Sequence, residues 1–329
     1  MNAIWYEALG SAATVLHYGE LETPTPAAGQ VLIKLHASSV NPSDVKMRAG
    51  TRAGGTKMAY PKIIPHSDGA GVIAEVGLGV DTNRIGQRVW LTNGQWNRAF
   101  GTAAEYIAID EALVAPLPDN TSFDTGASLG IPAITASHSV YSNGDVRGKT
   151  IFISGGAGTV GYLAVQLATL GGAHVITTAR GEEAIKRAST AGADHVFDFT
   201  DPGLADKVLA ANNNQLVDRI IEVEFGSNVE THSNIIKPRG NIVTFGSAKS
   251  MKPALPFYSL MFKGVTIEFL LMYLLSNQER QDAFERINSA LQDDELHIPI
   301  HSTYPLSETV KAHEQVENGR NGSVLLTIA

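Results

Sequence analysis

The sequence predicts an α/β protein that combines a β-rich module with a doubly wound parallel sheet. Up to about residue 123, short strand patterns are separated by Gly and Pro and show little helical periodicity. From there to about residue 272, six strand patterns alternate with helical ones, as a doubly wound sheet requires. The 329 residues exceed what one hydrophobic core normally organises. We therefore expect two domains, residues 1–123 with 273–329, and residues 124–272.

Alternating apolar and polar side chains predict half-buried strands in the first module, at 30–37, 69–76, 86–91 and 104–109. Segments 50–61 and 62–65 are interpreted as loops. In the second module the predicted strands are 150–154, 173–178, 195–197, 217–223, 241–245 and 265–272. The predicted helices are 160–170, 182–191, 204–210 and 228–236. Two amphipathic helices, 281–291 and 307–318, and a closing strand, 323–328, end the chain.

A glycine motif stands between the strand at 150–154 and the helix at 160–170. Gly155, Gly158 and Gly161 form G-x-x-G-x-x-G. Without side chains the backbone can approach a pyrophosphate, and the helix N-terminus presents unpaired N–H groups and a partial positive charge to it. The motif predicts a dinucleotide-binding turn, and a merely flexible glycine loop is the alternative. The residues between the glycines that we expect to contact the cofactor are Ala157, Thr159 and Val160.

The end of the second strand of the sheet indicates which dinucleotide binds. NAD enzymes carry an acidic residue there, about 20 residues beyond the glycine turn, which binds the ribose 2′-hydroxyl. Residues 178–180 are Thr-Ala-Arg, with no carboxylate. Arg180 can offer paired donors to a 2′-phosphate. The sequence therefore predicts NADPH as the cofactor, whereas in the alternative interpretation Arg180 is a solvated loop residue.

Composition and charge exclude several classes of function. The net charge is −8 and no stretch concentrates Lys and Arg, so nucleic acid is an unlikely partner. The absence of cysteine excludes disulfides, thiolate nucleophiles and cysteine-ligated metals. The most apolar stretch, 255–275, is interrupted by Lys263, Gly264 and Glu268 and is not expected to span a membrane. The start lacks the pattern of a signal peptide, so we expect a cytoplasmic protein.

Six ordered stretches carry a family resemblance over almost the whole chain. They are 39–44 (SVNPSD), 65–72 (PHSDGAGV), 101–106 (GTAAEY), 130–136 (GIPAITA), the glycine turn, and 191–196 (AGADHV). The chain resembles the zinc-free medium-chain dehydrogenase/reductases, and among them the zeta-crystallin-like NADPH:quinone oxidoreductases. This resemblance implies a GroES-like β-rich catalytic domain, a Rossmann NADPH-binding domain, and assembly as a homodimer or a tetramer.

The resemblance also bears on a possible metal. Zinc-dependent relatives have a ligand Cys where this chain has Asn41, and a ligand His where it has Ser67. His66 lies one residue away, and neighbouring side chains of an extended segment point to opposite faces. Because a catalytic zinc needs three protein ligands, we expect no metal here, and His66 is interpreted as a loop or core histidine.

Other site residues are implied by the same resemblance. The nicotinamide end of the cofactor is expected near Asn41, Thr135 and the backbone of Phe245, Gly246 and Ser247. Thr135 is alternatively a helix-interior threonine that bonds its own backbone. Asp44 and Asp68 are interpreted as structural.

The expected substrate residues lie in the first module. Lys46 stands where many relatives have a Tyr, and it either binds a substrate oxygen or faces solvent. Tyr60, Trp96 and Phe100 are loop aromatics that either stack on a flat substrate or pack on their own domain.

These observations predict an NADPH-dependent quinone oxidoreductase that transfers hydride without a metal. Such a reaction needs no strong general acid, and the sequence shows no evident acid pair. Reduction of an activated C=C bond in an enal, enone or enoyl thioester is the alternative, and it would need a proton donor. A crystallin-like or RNA-binding protein that retains NADPH binding is the alternative of another class. The apolar segment 265–272 would end the sheet and could pair with a second copy of the chain.

Overall fold

The computed structural model describes residues 1–52 and 57–328. The chain divides into two compact units, Met1–Pro132 with Arg280–Ala329, and Ala133–Glu279. Part of the loop expected at 50–61 lies outside the described residues. Among the described residues, no helix is both long enough and apolar enough to cross a membrane.

The strands and helices are numbered in chain order. The strands are β1 (Asn2–Trp5), β2 (His17–Glu20), β3 (Gln30–Val40), β4 (Asp68–Val76), β5 (Arg88–Leu91), β6 (Tyr106–Asp110), β7 (Val114–Pro116), β8 (Thr150–Ile153), β9 (His174–Thr178), β10 (His195–Phe197), β11 (Val217–Glu222), β12 (Ile236–Thr244), β13 (Thr266–Phe269), β14 (Ile300–Pro305) and β15 (Ser323–Thr327). The helices are α1 (Ala12–Val15), α2 (Pro42–Ala49), α3 (Phe123–Ala127), α4 (Gly130–Tyr141), α5 (Thr159–Leu170), α6 (Glu182–Thr190), α7 (Leu204–Ala211), α8 (Phe225–Ile235), α9 (Phe257–Lys263), α10 (Asn277–Gln292) and α11 (Thr309–Asn318).

The first unit is built on a seven-stranded sheet in the order β14-β15-β3-β4-β5-β7, with β6 also paired to β3. Strand β3 is central because its antiparallel partners include β4, β6 and β15. Its apolar side chains alternate with exposed ones, and Val31, Ile33 and Leu35 join the core of this unit. A separate hairpin pairs β1 with β2.

Helix α2 is a feature of the first unit that the predicted loop-and-strand pattern did not include. It begins at Pro42, whose fixed φ suits the first helical position, and Asn41 precedes it in a capping box with Asp44. Gly50, at φ +73°, ends it in the left-handed conformation. The signal for this helix is the sequence Asn-Pro-Ser-Asp at 41–44. Because α2 is short, the module remains β-rich with little helix, as predicted.

The second unit is a parallel six-stranded sheet in the order β10-β9-β8-β11-β12-β13. This is the strand order of a doubly wound, dinucleotide-binding sheet. The predicted fold class, a β-rich part plus a doubly wound parallel sheet, is confirmed. Helices α5 to α8 follow strands β8 to β11 in turn, and the core includes Phe152, Ile220 and Ile242.

Several boundaries of the second unit differ from the predicted ones. Helix α8 begins at Phe225 rather than 228, because the backbone N–H of Gly226 finds the Ser247 hydroxyl as a partner and the turn is stabilised. Strand β13 covers only Thr266–Phe269, and 272–274 form a short 3₁₀ turn. Helix α9 lies within the apolar stretch 255–275, where no helix was predicted. Gly264, with φ +59°, follows its last residue.

Candidate cofactor and active site

The turn between β8 and α5 is packed so closely that a side chain at Gly156 or Gly161 would clash with it. A Cβ at Gly161 would lie 2.2 Å from the carbonyl oxygen of Gly155, and one at Gly156 would lie 2.3 Å from Thr177 Oγ1. Gly155 itself adopts φ +71°, which L side chains rarely allow. Its carbonyl oxygen also accepts the N–H of Gly158 at 2.9 Å. The protein's own backbone therefore fills the space that side chains would take.

Helix α5 begins at Thr159, directly after this turn. Gly158 precedes it and has no side chain with which to cap the first N–H groups. Unpaired N–H groups at the N-terminus of a helix bind anions such as a pyrophosphate. The turn and the start of α5, including Ala157 and Val160, thus fit a dinucleotide cofactor.

The end of β9 is tied to the glycine turn. The hydroxyl of Thr178 accepts the N–H of Gly155 at 3.0 Å, and the carbonyl oxygen of Thr178 accepts the N–H of Gly156 at 2.9 Å. Ala179 is buried, whereas Arg180 is exposed at this edge. Residues 177–181 are Thr-Thr-Ala-Arg-Gly, so the position carries a cation and no carboxylate.

The loop after β12 is held against the loop after β11. Phe245 donates its N–H to the Glu222 carbonyl at 3.1 Å, and the carbonyl of Gly246 accepts the N–H of Phe225 at 2.9 Å. A Cβ at Gly246 would lie 2.3 Å from the Val223 carbonyl oxygen. Phe245, Gly246 and Ser247 therefore lie at the same carboxyl edge of the sheet as the glycine turn, where ligands of doubly wound sheets bind.

A buried carboxylate lies beneath this edge. Glu222, at the end of β11, accepts hydrogen bonds from the Ser154 hydroxyl and from His232 Nε2, the latter at 2.8 Å. Asn228 Nδ2 adds a bond at 3.1 Å. Burial alone would raise the pKa of Glu222, but these hydrogen bonds and the charge of His232 hold it below its ordinary value. The cluster fixes Ser154, the residue before the glycine turn, and no periodic pattern in the sequence indicates it.

In the first unit, Asn41 donates hydrogen bonds to two buried carboxyl groups. Its backbone N–H donates to Asp44 Oδ2 at 2.8 Å, and its side-chain Nδ2 donates to Asp68 Oδ2 at 2.8 Å. Asp68 Oδ2 also accepts the N–H of Ile131, in the first turn of α4, at 2.8 Å. Asp68 is thus the shared acceptor that fixes both the amide of Asn41 and the start of α4.

Both carboxyl groups are held towards the protonated form. Burial raises the pKa of Asp44 to about 7, although the backbone hydrogen bond from Asn41 opposes this shift. Burial also raises the pKa of Asp68 well above its usual value, and the neighbouring charge of Asp44 adds to that effect. Sequence reasoning treated these residues as structural and found no acid pair. The structure places two buried carboxyl groups with raised pKa values next to Asn41.

A chain of buried hydrogen bonds assigns the state of two histidines. The Thr102 hydroxyl donates to the Asp68 carbonyl at 2.8 Å, so its contact with Ser38 Oγ at 2.8 Å must use the Ser38 hydrogen. Ser38 then has no hydrogen left for His66 Nδ1, 3.1 Å away, and the ring must donate there. Burial lowers the pKa of His66 to about 3, so its Nε2 is bare and accepts from His313 Nε2 at 2.8 Å.

This network decides whether the residues fit a catalytic zinc, which the fold family implies. His66 uses both ring nitrogens within the protein, and the two residues that the resemblance places at the ligand positions, Asn41 and Ser67, carry an amide and a hydroxyl. Across residues 1–52 and 57–328 no group of three His, Cys, Asp or Glu side chains could hold a metal ion. The residues therefore do not fit a zinc ion with three protein ligands.

The expected substrate residues of the first unit are only partly brought together. The Tyr60 hydroxyl donates to the carbonyl of Asn97 at 2.6 Å, next to Trp96, whose ring centroid lies 5.2 Å from the Arg52 guanidinium carbon. Phe100 is 45% exposed, and Lys46 is exposed on α2. In α4, Thr135 is buried. The Tyr60 hydroxyl is thus hydrogen-bonded to the backbone, whereas the ring of Phe100 is accessible to solvent.

Comparison with known proteins identifies the class. The model of the alcohol dehydrogenase GroES-like domain matches residues 27–119, and that of the zinc-binding dehydrogenase domain matches 159–289. The chain belongs to the medium-chain dehydrogenase/reductases, as its sequence motifs predicted.

The curated relatives that match over the whole chain are named quinone oxidoreductases. The chain is 28% identical to a quinone oxidoreductase of Rattus norvegicus and 29% identical to one of Sus scrofa, in each case over 100% of this chain and 98% of the relative. A mycobacterial quinone oxidoreductase has the same fold, with a TM-score of 0.88, 26% identity and full coverage of both chains. A mycobacterial structure complexed with NADPH matches with a TM-score of 0.85, 25% identity and full coverage of both.

Proposed function

We propose that this protein is an NADPH-dependent quinone oxidoreductase that needs no metal. The observation that carries the proposal is the backbone cradle at the ends of β8 and β9, where Arg180 stands in place of an acidic residue. A cradle of this kind suits a pyrophosphate, and a cation at that position suits a 2′-phosphate. The similarity to quinone oxidoreductases over the whole chain supports the reaction.

Each end of the cofactor has candidate partners. The glycine turn and the first N–H groups of α5 would hold the pyrophosphate, and Arg180 the 2′-phosphate. The backbone of Phe245, Gly246 and Ser247 would lie along the nicotinamide ribose. Asn41 and Thr135 are the proposed side-chain partners of the nicotinamide end. The cofactor supplies the hydride, and these residues bind and orient it.

The acceptor side of the reaction makes modest demands on the protein. A reduced quinone leaves as an oxygen anion that water can protonate, so a positioned general acid is not essential. A flat ring would stack on aromatic side chains such as Phe100 or Trp96, with Tyr60 beside them. Lys46, at the surface of α2, is the proposed cation for a substrate oxygen.

An activity panel tests the proposal. We expect NADPH oxidation with 9,10-phenanthrenequinone and 1,4-benzoquinone, and tighter binding of NADPH than of NADH in a fluorescence titration. Binding of NADPH without turnover of any quinone would contradict the proposed reaction. Equal affinity for the two cofactors would contradict the assignment of Arg180.

Reduction of an activated C=C bond is the second candidate, because of Asp44. That reaction leaves an enolate that must be protonated at carbon, and a carboxyl group with a pKa of about 7 beside Asn41 is a suitable proton reservoir. An enone in the same panel separates the two candidates. If the protein reduces activated C=C bonds, we expect faster turnover of the enone than of the quinones. An Asp44→Asn variant should then lose enone turnover.

The assembly and the domain boundaries remain proposals. We propose a catalytic domain of residues 1–123 with 273–329, a cofactor domain of residues 124–272, and a zeta-crystallin-like homodimer in the cytoplasm. In favour of the dimer, β13 is the edge strand of its sheet, and Phe269 at its end is 72% exposed. Light scattering after size exclusion should give a dimer mass, and Phe269→Glu should lower it. A tetramer would still fit the edge pairing, whereas a monomer would not.

A further inference from the structure

The expected 2′-phosphate position has a charge problem that Arg180 alone does not solve. Glu182 and Glu183 occupy the first turn of α6, directly after Arg180. Hydrogen bonds from Thr200 lower the pKa of the Asp198 carboxyl, and the Arg180 guanidinium lowers it further, so Asp198 is an anion within electrostatic reach of Arg180. These carboxylates oppose a phosphate group of about two negative charges. Selective binding of that phosphate therefore calls for a further cation.

The basic residues of α6 do not supply it convincingly. The Arg187 guanidinium carbon lies 5.0 Å from the centroid of the Tyr162 ring on α5, so this side chain packs against the neighbouring helix. Burial lowers the pKa of Arg187, in keeping with that position. Lys186 is exposed one residue before it. Another element at the same edge of the sheet also carries a cation.

Lys249 reaches the required place from the loop after β12. Its Nζ lies 6.0 Å from the centroid of the Phe199 ring, and Phe199 is the residue that follows Asp198. That distance is at the outer limit of a cation–π contact. Phe199 is 45% exposed, so its ring is a surface on which the lysine stem can lie. Arg180 follows Ala179, whose N–H donates to the Phe197 carbonyl oxygen at 2.9 Å, so Arg180 and Lys249 both lie near the segment 197–199.

The position of Lys249 is fixed by the fold. One carboxylate oxygen of Glu224, Oε1, accepts the N–H of Lys249 at 2.9 Å, and the other, Oε2, accepts the N–H of Ala248 at 2.9 Å. The Ser247 hydroxyl closes the same loop with a bond to the Ser250 carbonyl at 2.5 Å. A loop held in this way presents its lysine in a limited region, which is what a specific ionic contact requires.

We propose that Lys249 is a second cation of the 2′-phosphate subsite and acts there together with Arg180. The inference rests on the proposed use of NADPH and adds a residue that determines the choice between NADPH and NADH. A phosphate bound there would take planar paired donors from Arg180 and a point charge from Lys249.

The test compares dissociation constants of NADPH and NADH, measured by fluorescence titration, for Lys249→Gln, Lys249→Arg and the control Lys252→Gln. Lys252 is exposed in the same segment three residues further on. We expect Lys249→Gln to weaken NADPH binding about fivefold to tenfold, which is the size of one ordinary hydrogen bond, and to leave NADH within twofold. Lys249→Arg and Lys252→Gln should stay within twofold of wild type for both cofactors.

Inhibition by cofactor fragments and the dependence on ionic strength are two further measurements. Because the subsite binds the phosphate alone, Lys249→Gln should weaken inhibition by 2′,5′-ADP and not by 5′-ADP. The preference for NADPH should fall with ionic strength less steeply in Lys249→Gln than in wild type. Equal losses for both cofactors would show that Lys249 acts through the loop, and an unchanged NADPH affinity would show no contact; either result overturns the inference. A wild-type protein that binds neither cofactor would overturn the proposed function with it.

Discussion

In the second unit, a ligand would contact mainly backbone atoms at the ends of the parallel strands. Charged side chains lie at the exposed edge of this site. In the first unit, the region around Asn41 is made of buried side chains that are mostly uncharged, and each is held by another. The difference follows from what each region has to accommodate. A dinucleotide brings several negative charges, so its site needs N–H groups and cations. A region that holds one amide in a fixed orientation needs hydrogen bonds without the cost of burying net charge.

Several ionisable side chains around Asn41 are shifted towards their uncharged forms by burial. Two carboxyl groups with raised pKa values and two histidines with lowered ones lie in one hydrogen-bonded cluster, and burial shifts each of the four towards its uncharged form. The chain from His313 to Thr102 ends on the carbonyl oxygen of Asp68, which cannot pass a proton on. The cluster therefore holds Asp68 and Asn41 in position and is not a path for protons.

The largest effect is expected where backbone meets backbone in the glycine turn. Gly161→Ala places a Cβ 2.2 Å from the Gly155 carbonyl oxygen, so the turn must move. We expect NADPH and NADH affinity to fall more than 100-fold in titrations, because the cradle itself is displaced. Gly158→Ala is the matched control, since a Cβ there lies 3.3 Å from the same oxygen and requires only a small shift. Similar losses in the two variants would show that the clash at Gly161 is not what matters.

Arg180 tests the charged rim of the same site. Removing the guanidinium in Arg180→Ala should weaken NADPH binding tenfold to 100-fold and leave NADH nearly unchanged, because only NADPH carries the 2′-phosphate. Arg180→Lys, which keeps the charge and loses the planar pair of donors, should recover part of the affinity. The same factor of loss for both cofactors would contradict this role.

The sequence predicted the backbone-built region far better than the side-chain region. Glycine spacing, the strand before it and the helix after it are local signals, so 155–161 and the strand order could be predicted from a single segment and its neighbours. Arg180 was placed by its distance from the turn. Lys249 could not be found in this way, because it meets Phe199 only through the fold of two separate loops.

The Asn41 region had almost no local signal. His66 and His313 are 247 residues apart in the chain and meet at 2.8 Å. Asp68 gains its raised pKa from burial, which a sequence pattern does not show. The one local cue was the capping box at 41–44, which predicts the start of α2 and the bond from Asn41 to Asp44.

A smaller effect than at the glycine turn is expected when the shared acceptor of this region is removed. Asp68→Ala leaves Nδ2 of Asn41 and the N–H of Ile131 without their partner, which should cost about 2–4 kcal/mol in the free energy of unfolding. We expect kcat/KM with a quinone to fall about tenfold, since Asn41 loses its fixed orientation.

Asp68→Asn is the informative control for this change. Burial raises the pKa of the Asp68 carboxyl and so favours its uncharged form. An amide oxygen of the same shape can accept both bonds, and stability and kcat/KM should stay within about twofold of wild type. An Asp68→Asn variant as impaired as Asp68→Ala would mean that the carboxylate charge, rather than its hydrogen bonds, is required.

The smallest effect is a change in how stability depends on pH. Burial raises the pKa of Asp44 to about 7, so between about pH 4 and 7 the folded protein binds a proton that the unfolded chain has released, and this contribution to stability is lost as pH rises. Burial lowers the pKa of His66 to about 3, so its contribution is lost in the opposite direction, as pH falls from about 6.5 to 3. The two slopes oppose each other between about pH 4 and 6.5.

Replacing Asp44 by Asn removes one of these slopes and leaves the other. Relative to wild type, Asp44→Asn should therefore gain thermal stability as pH rises from 4.5 to 7.5, with the difference in melting temperature growing by on the order of 5 °C. Asp293→Asn, which alters an exposed carboxylate at the end of α10, should show a constant difference over the same range. If the difference for Asp44→Asn is also constant, Asp44 ionises as freely as a surface residue. The Asn41 region would then carry charge, and the contrast with the cofactor site would rest on burial alone.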